Sequence, residues 1–178
     1  MPATFRGRLQ TALILAITLV AITFTTVLAA PSQLSIAKGA TARFNSLVQA
    51  GQAGYGLPPE GPLHECIASF DNTGAMGFHY INGNLLDGVI DAAAPEALVY
   101  APDKHGKLKL VALEYVGFAD AWTSSEPPML FDQMFMFTPS PNRYAIPAFW
   151  SLHAWIYKDN PTVPDGMFAP FNPDVSCG

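Results

Sequence analysis

In the run LKLVALEYV, residues 108–116, strand alternation puts Leu108, Leu110, Ala112, Glu114 and Val116 on one face, and only one of the five carries a charge. A lone carboxylate on an apolar face costs several kcal/mol unless it is paired, hydrogen-bonded, protonated or bound to a metal. Two histidines stand in similar company. His79, in GAMGFHYIN, has Gly77 and Ile81 as same-face neighbours, and His153, in SLHAWIYK, has Ser151, Trp155 and Tyr157. Glu96, in APEALVY, opens a run whose same-face members are Leu98 and Tyr100. If these faces turn inward together, two imidazoles and one or two carboxylates converge, a donor set that suits a divalent transition metal, Zn, Fe, Mn or Cu, in a β scaffold. Without a metal, Glu114 reads as a general acid or base with a raised pKa beside an imidazole. The alternatives are a non-catalytic carrier of an apolar small molecule, in which the set only orients the guest, and a structural or interaction protein of the cell envelope, in which a buried Glu–His pair only fixes strand register. If the site is catalytic, metal-assisted oxidation or hydrolysis of a small organic molecule is the reaction class to expect.

The four candidates lie 17, 18 and 39 positions apart, with no HxH or HExxH motif among them. Residue types and faces therefore carry the reading, and spacing adds little. Ser151 has no GxSxG around it, and GAMG lacks the lysine and following helix of a phosphate-binding loop. His64 and His105 fall in loop and turn sequence. Arg143, in PSPNRYAIP, is placed either to hold an anionic group of a ligand at a cavity mouth or to form a surface ion pair. Trp155 and Tyr157, with Phe149 and Trp150, either line an apolar ligand pocket or fill the core.

The elements that must position these residues follow from period and punctuation. Residues 35–55 place Ala42, Phe44, Leu47, Val48 and Ala50 near helical spacing and end in glycines, so one helix is expected there. From residue 65 onward the pattern becomes short β-type runs separated by Gly, Pro, Asn and Asp. Strands are expected over 75–81, 97–100, 108–116, 134–137 and 152–158, the second and third forming a hairpin around APDKHGK. One N-terminal helix followed by five or six strands indicates a mainly β fold, with a strongly curved antiparallel sheet or a small β-barrel and the helix packed on it. The last segment, DNPTVPDGMFAPFNPDVSCG, reads as an ordered wrap, because Met167, Phe168 and Phe171 are poor residues to leave in water.

At the start, Arg6 and Arg8 precede an uncharged run ending in Val27 and Ala29, the small residues a signal peptidase requires. The expectation is a signal peptide over 1–29 and one β-rich domain over 30–178, secreted to the periplasm or the outside. An uncleaved anchor is the alternative, and only through it would the chain meet a membrane. Removing 29 of 178 residues leaves 149, enough for one core. The same cut leaves seven basic and fourteen acidic residues, a formal charge of −7 with no basic stripe, which excludes nucleic acid as a partner and leaves a metal ion or small molecule. In an oxidising compartment Cys66 and Cys177 are expected to pair. Closing so long a loop is worth up to about 4.7 kcal/mol in the chain-entropy view.

The blocks CIASFDNTGAMGFHYIN, PEALVYAPDKHGKLKLVALEYV, PNRYAIPAF and LHAWIYKDNPTVPDGMFAPFNPDVSC, together spanning roughly 42–177, resemble an uncharacterised family of small exported bacterial proteins. The resemblance implies export, one domain and paired cysteines, and brings no activity, substrate or catalytic residue. Members of that family carry an acid after the tyrosine of ALVY where this chain has Ala101, so no role attaches to that position.

Overall fold

The structure, a computed structural model, describes residues 31–71 and 73–177. The expected signal peptide, residues 1–29, lies outside the described residues. The described chain begins with α1 (Gln33–Thr41), capped by the Ser32 hydroxyl, continues through a 3-10 turn over Ala42–Asn45, and restarts as α2 (Leu47–Gln52). The sequence period suggests one helix across this stretch, but the chain is extended at Ser46, whose side chain caps α2. Serine and asparagine favour such caps because their side chains compete for backbone groups inside a helix.

Eight strands follow among the described residues: β1 (Ile67–Ala68), β2 (Ala75–Ile81), β3 (Ala97–Pro102), β4 (Leu108–Phe118), β5 (Met129–Leu130), β6 (Gln133–Met134), β7 (Met136–Thr138) and β8 (Phe149–Ala154). Six of them form one antiparallel sheet in the order β1-β2-β3-β4-β8-β7, curled into a half-barrel, and β5 and β6 make a separate hairpin. The mainly β fold with a curved sheet and an N-terminal helix is therefore as expected.

The two faces of the sheet have different coverings. Leu98, Tyr100, Leu113, Tyr115, Leu152 and Ala154 share a core with Ala37, Phe44 and Ala50 from the helical segment. Hydrogen bonds tie the segment down: Tyr100 donates to the Phe44 carbonyl at 2.6 Å, and the Tyr157 hydroxyl lies 2.8 Å from the Thr41 hydroxyl. Ala75, Val99, Ala101, Ala112 and Trp155 pack on the opposite face with Val175 of the C-terminal segment. That segment is fixed by the expected disulfide between Cys66 and Cys177 and by Asn172, which bridges its backbone to Ala75 of β2 and donates to the Asp159 carbonyl. No helix among the described residues is long and apolar enough to cross a membrane.

One irregularity decides which residues meet on which face. Val99 of β3 pairs with Ala112, but Tyr100 pairs with Leu110, so Val111 is an extra residue on β4 and forms a bulge. The expected single face of five residues is thereby corrected: Leu108 and Leu110 join the helix-side core, whereas Ala112, Glu114 and Val116 lie on the opposite side.

A buried His–Glu–His cluster at the wall of an apolar cavity

The register places Ile81, Ala97, Glu114 and His153 in one row across β2, β3, β4 and β8. His79 lies two residues before Ile81 on β2, opposite Val99. β2 and β4 are separated by β3, roughly 9–10 Å in a flat sheet, so only long side chains reaching over a small residue can meet. Ala97 is that small residue, and the curl of the sheet tips the flanking side chains towards each other. Gly77 allows β2 to lie this close: its φ is +115°, and a Cβ there would stand 2.5 Å from the Tyr100 carbonyl oxygen.

His79 Nε2 lies 3.2 Å from Glu114 Oε2 and 3.4 Å from His153 Nε2, and His153 Nδ1 is 3.7 Å from Glu114 Oε1. The two imidazoles meet edge to face, at 89°. All three residues are buried, His79 at 2%, His153 at 3% and Glu114 at 9% exposure, and each offers a metal-ligating atom within 4.8 Å of the others. Nitrogen and oxygen ligands bound to one tetrahedral ion stand about 3.3 Å apart, close to the two shortest separations here.

Burial sets the charge state of the metal-free cluster. It pushes the His79 imidazole down to about 4, against the pull of the Gly77 carbonyl. That carbonyl makes no hydrogen bond of full geometry, since His79 Nδ1 has no partner among the described residues. His153 falls to about 3, by burial first and the neighbouring His79 second. Glu114 is raised to about 8 by burial, opposed by a hydrogen bond from the Ser151 hydroxyl. Burial therefore favours two neutral imidazoles and a protonated carboxyl in the metal-free cluster, in which the two imidazole Nε2 atoms share a hydrogen bond.

The cluster forms part of the wall of a cavity of about 170 Å3. Ile67, Met76, Ile81, Val116, Phe118 and Phe149 supply much of the remaining wall, and the polar side chains there are Glu96, Ser151, Tyr144 and Thr138. Among the described residues, none that lines it is Lys or Arg.

The other expected site residues separate from the cluster. Glu96 lines the cavity but is not part of the group whose ligand atoms converge. It precedes β3, so strand alternation does not govern it, and its Oε2 accepts from the Val116 amide at 2.9 Å. Arg143 does not line the cavity: its guanidinium stacks at 4.0 Å over the exposed Phe70 ring and donates to the Ala68 carbonyl, which fastens the loop that carries Tyr144. Trp155 and Tyr157 do not line it either. β8 ends at Ala154, where the Trp155 amide turns to the Met167 carbonyl, so alternation stops before both residues. Trp155 instead stacks behind His153 and donates to the Ala169 carbonyl at 2.6 Å, and Tyr157 fastens α1. Ser151, which alternation places on the His153 face, does line the cavity, opposite Val116, and Tyr144 joins it with its hydroxyl facing the Met76 sulfur. Thr138 is the polar contributor that no local pattern singled out, because only the pairing of β7 with β8 brings it there.

No protein family, curated protein or solved structure matches this chain.

Proposed function

We propose that His79, Glu114 and His153 hold a divalent transition metal, Zn, Fe, Mn or Cu, at the wall of a cavity that admits a small molecule, in a protein exported to an oxidising compartment. The observation that carries this reading is the convergence of three buried ligand atoms within 4.8 Å from strands that need not have brought them together. Two imidazoles and one carboxylate are a common metal-binding set, and three protein ligands leave coordination positions open to a water or substrate. A dication also offsets an electrostatic cost: it displaces the Glu114 proton, and it supplies charge to a carboxylate that burial otherwise keeps neutral. Secretion draws its support from the Cys66–Cys177 bond and from the expected signal peptide, and membership in the exported bacterial family rests on the sequence blocks that resemble it.

Protein purified from the oxidising compartment without refolding, stripped with chelator and reloaded, should take up one metal per chain. His79→Ala and His153→Ala should each lower uptake by roughly tenfold or more. Absence of stoichiometric uptake in the wild type sinks the metal reading.

The apolar lining favours a second reading, a non-catalytic carrier in which the cluster only orients a small apolar guest. Native mass spectrometry separates the two: a carrier retains an organic mass, and a metal site an inorganic one.

A further inference from the structure

Among the described residues, Glu96 is the one cavity-lining acid that the cluster does not use. It is 1% exposed, and one oxygen, Oε2, is occupied by the Val116 amide. The other, Oε1, has no hydrogen-bond partner among the described residues. Buried carboxyl oxygens are rarely left without a partner, so this one calls for an explanation. Glu96 is one of the residues that form the wall of the same cavity.

The cavity restricts what that partner is. A volume of about 170 Å3 is close to the roughly 150 Å3 of an apolar cavity that accepts benzene. Phe118, Phe149, Val116, Ile81 and Ile146 give it the walls of an aromatic-ring site. None of the described lining side chains is Lys or Arg, so apart from a metal at the cluster nothing in the wall is placed to hold a carboxylate or phosphate. A neutral hydroxyl suits the position better than a carbonyl or an amine, because it donates to Glu96 or accepts from it and so fits the carboxyl in either protonation state.

We infer that the ligand of this cavity is a neutral single-ring molecule carrying a hydroxyl, a phenol, and that Glu96 Oε1 is the group that recognises the hydroxyl. This deepens the small-molecule part of the proposed function, on which it rests, and does not depend on the metal.

The test uses the full, disulfide-bonded chain and two probes of nearly equal shape, para-cresol and para-xylene, titrated calorimetrically into the chelator-stripped and the zinc-loaded protein. A site built to hydrogen-bond a hydroxyl rejects the analogue lacking it, so the wild type should bind para-cresol roughly tenfold or more tighter than para-xylene. Glu96→Met keeps the volume and removes the polar end, and should bind the two probes alike. Glu96→Gln keeps a hydrogen-bonding end and should retain the preference, which guards the test against a Met variant that does not fold. Equal binding of both probes by the wild type, a preference that survives in Glu96→Met, or one lost in a folded Glu96→Gln, overturns the assignment. A para-cresol preference in protein that takes up no zinc contradicts the metal reading alone, and zinc uptake without the preference contradicts the Glu96 assignment alone.

Discussion

Glu114 is the residue on which the chemistry turns, and it is legible from strand alternation alone, because a carboxylate among apolar neighbours requires an explanation. His79 and His153 were legible only as candidates, since a histidine on an apolar face is commonly just a packed one. Their titration has a consequence for stability. Folded Glu114 and Glu96 release their protons at about 8, against 4.5 ordinarily, so the stability present below pH 4.5 is lost as pH rises towards 8. The histidines act in the other direction: they titrate at about 4 and 3 instead of 6.5, and the stability present above pH 6.5 is lost as pH falls through those values. Metal-free protein should therefore show a Tm maximum between about pH 4.5 and 6.5 and a fall on both sides. Glu114→Gln, which has no proton to lose, should flatten the alkaline fall, and thermal melts from pH 3 to 9 measure both. A Tm that climbs steadily to pH 9 in the wild type contradicts the buried, protonated carboxyls. Added zinc should raise the Tm at pH 7 and cease to do so near pH 4, where protons compete for the imidazoles.

At the scale of elements, the run 75–81 was readable as a strand and is one, and the 97–100 and 108–116 runs do form a hairpin, extended to Pro102 and Phe118. The bulge at Val111 was not readable, because it answers to the pairing of β4 with β3 and leaves no mark on β4 alone. It redirects Leu108 and Leu110 but leaves Glu114, which lies beyond it, on the expected side. The end of β8 was hidden for a similar reason: Trp155 leaves the strand to bond a residue twelve positions later. Glycine gives this scale a direct test. Gly77→Ala forces a side chain into the left-handed φ region and against the Tyr100 carbonyl, so it should cost more than about 1 kcal/mol in urea unfolding and weaken metal uptake by displacing His79. Gly83, which has no atom within 4 Å of a would-be Cβ, is the control: Gly83→Ala should change stability little. Equal effects of the two substitutions contradict the role given to the close approach of β2 and β3.

For the molecule as a whole, the class of fold was legible from one helical stretch followed by short strands, but the strand order was not. β8 sits beside β4 although 30 residues, including the β5–β6 hairpin and β7, separate them in sequence, and no local pattern encodes that return. The six-stranded half-barrel brings β2 and β8 to opposite flanks of β3 and β4, and so gathers residues 74 positions apart into one cluster. The disulfide closes the remaining side by fastening the C-terminal segment to the start of β1, across a separation of 111 residues. Cys66→Ser with Cys177→Ser should lower unfolding stability by up to about 4.7 kcal/mol and loosen the segment around Asn172 and Val175, which amide exchange reads directly. A double variant as stable as the parent contradicts that role. The central claim, that the cluster is a metal centre, is tested most directly by X-ray anomalous scattering from crystals of the zinc-loaded protein. The account predicts one peak per chain, about 2.0–2.2 Å from a nitrogen of His79, a nitrogen of His153 and an oxygen of Glu114; a fully loaded crystal with its zinc elsewhere, and these three side chains still in direct contact with no ion between them, would contradict it.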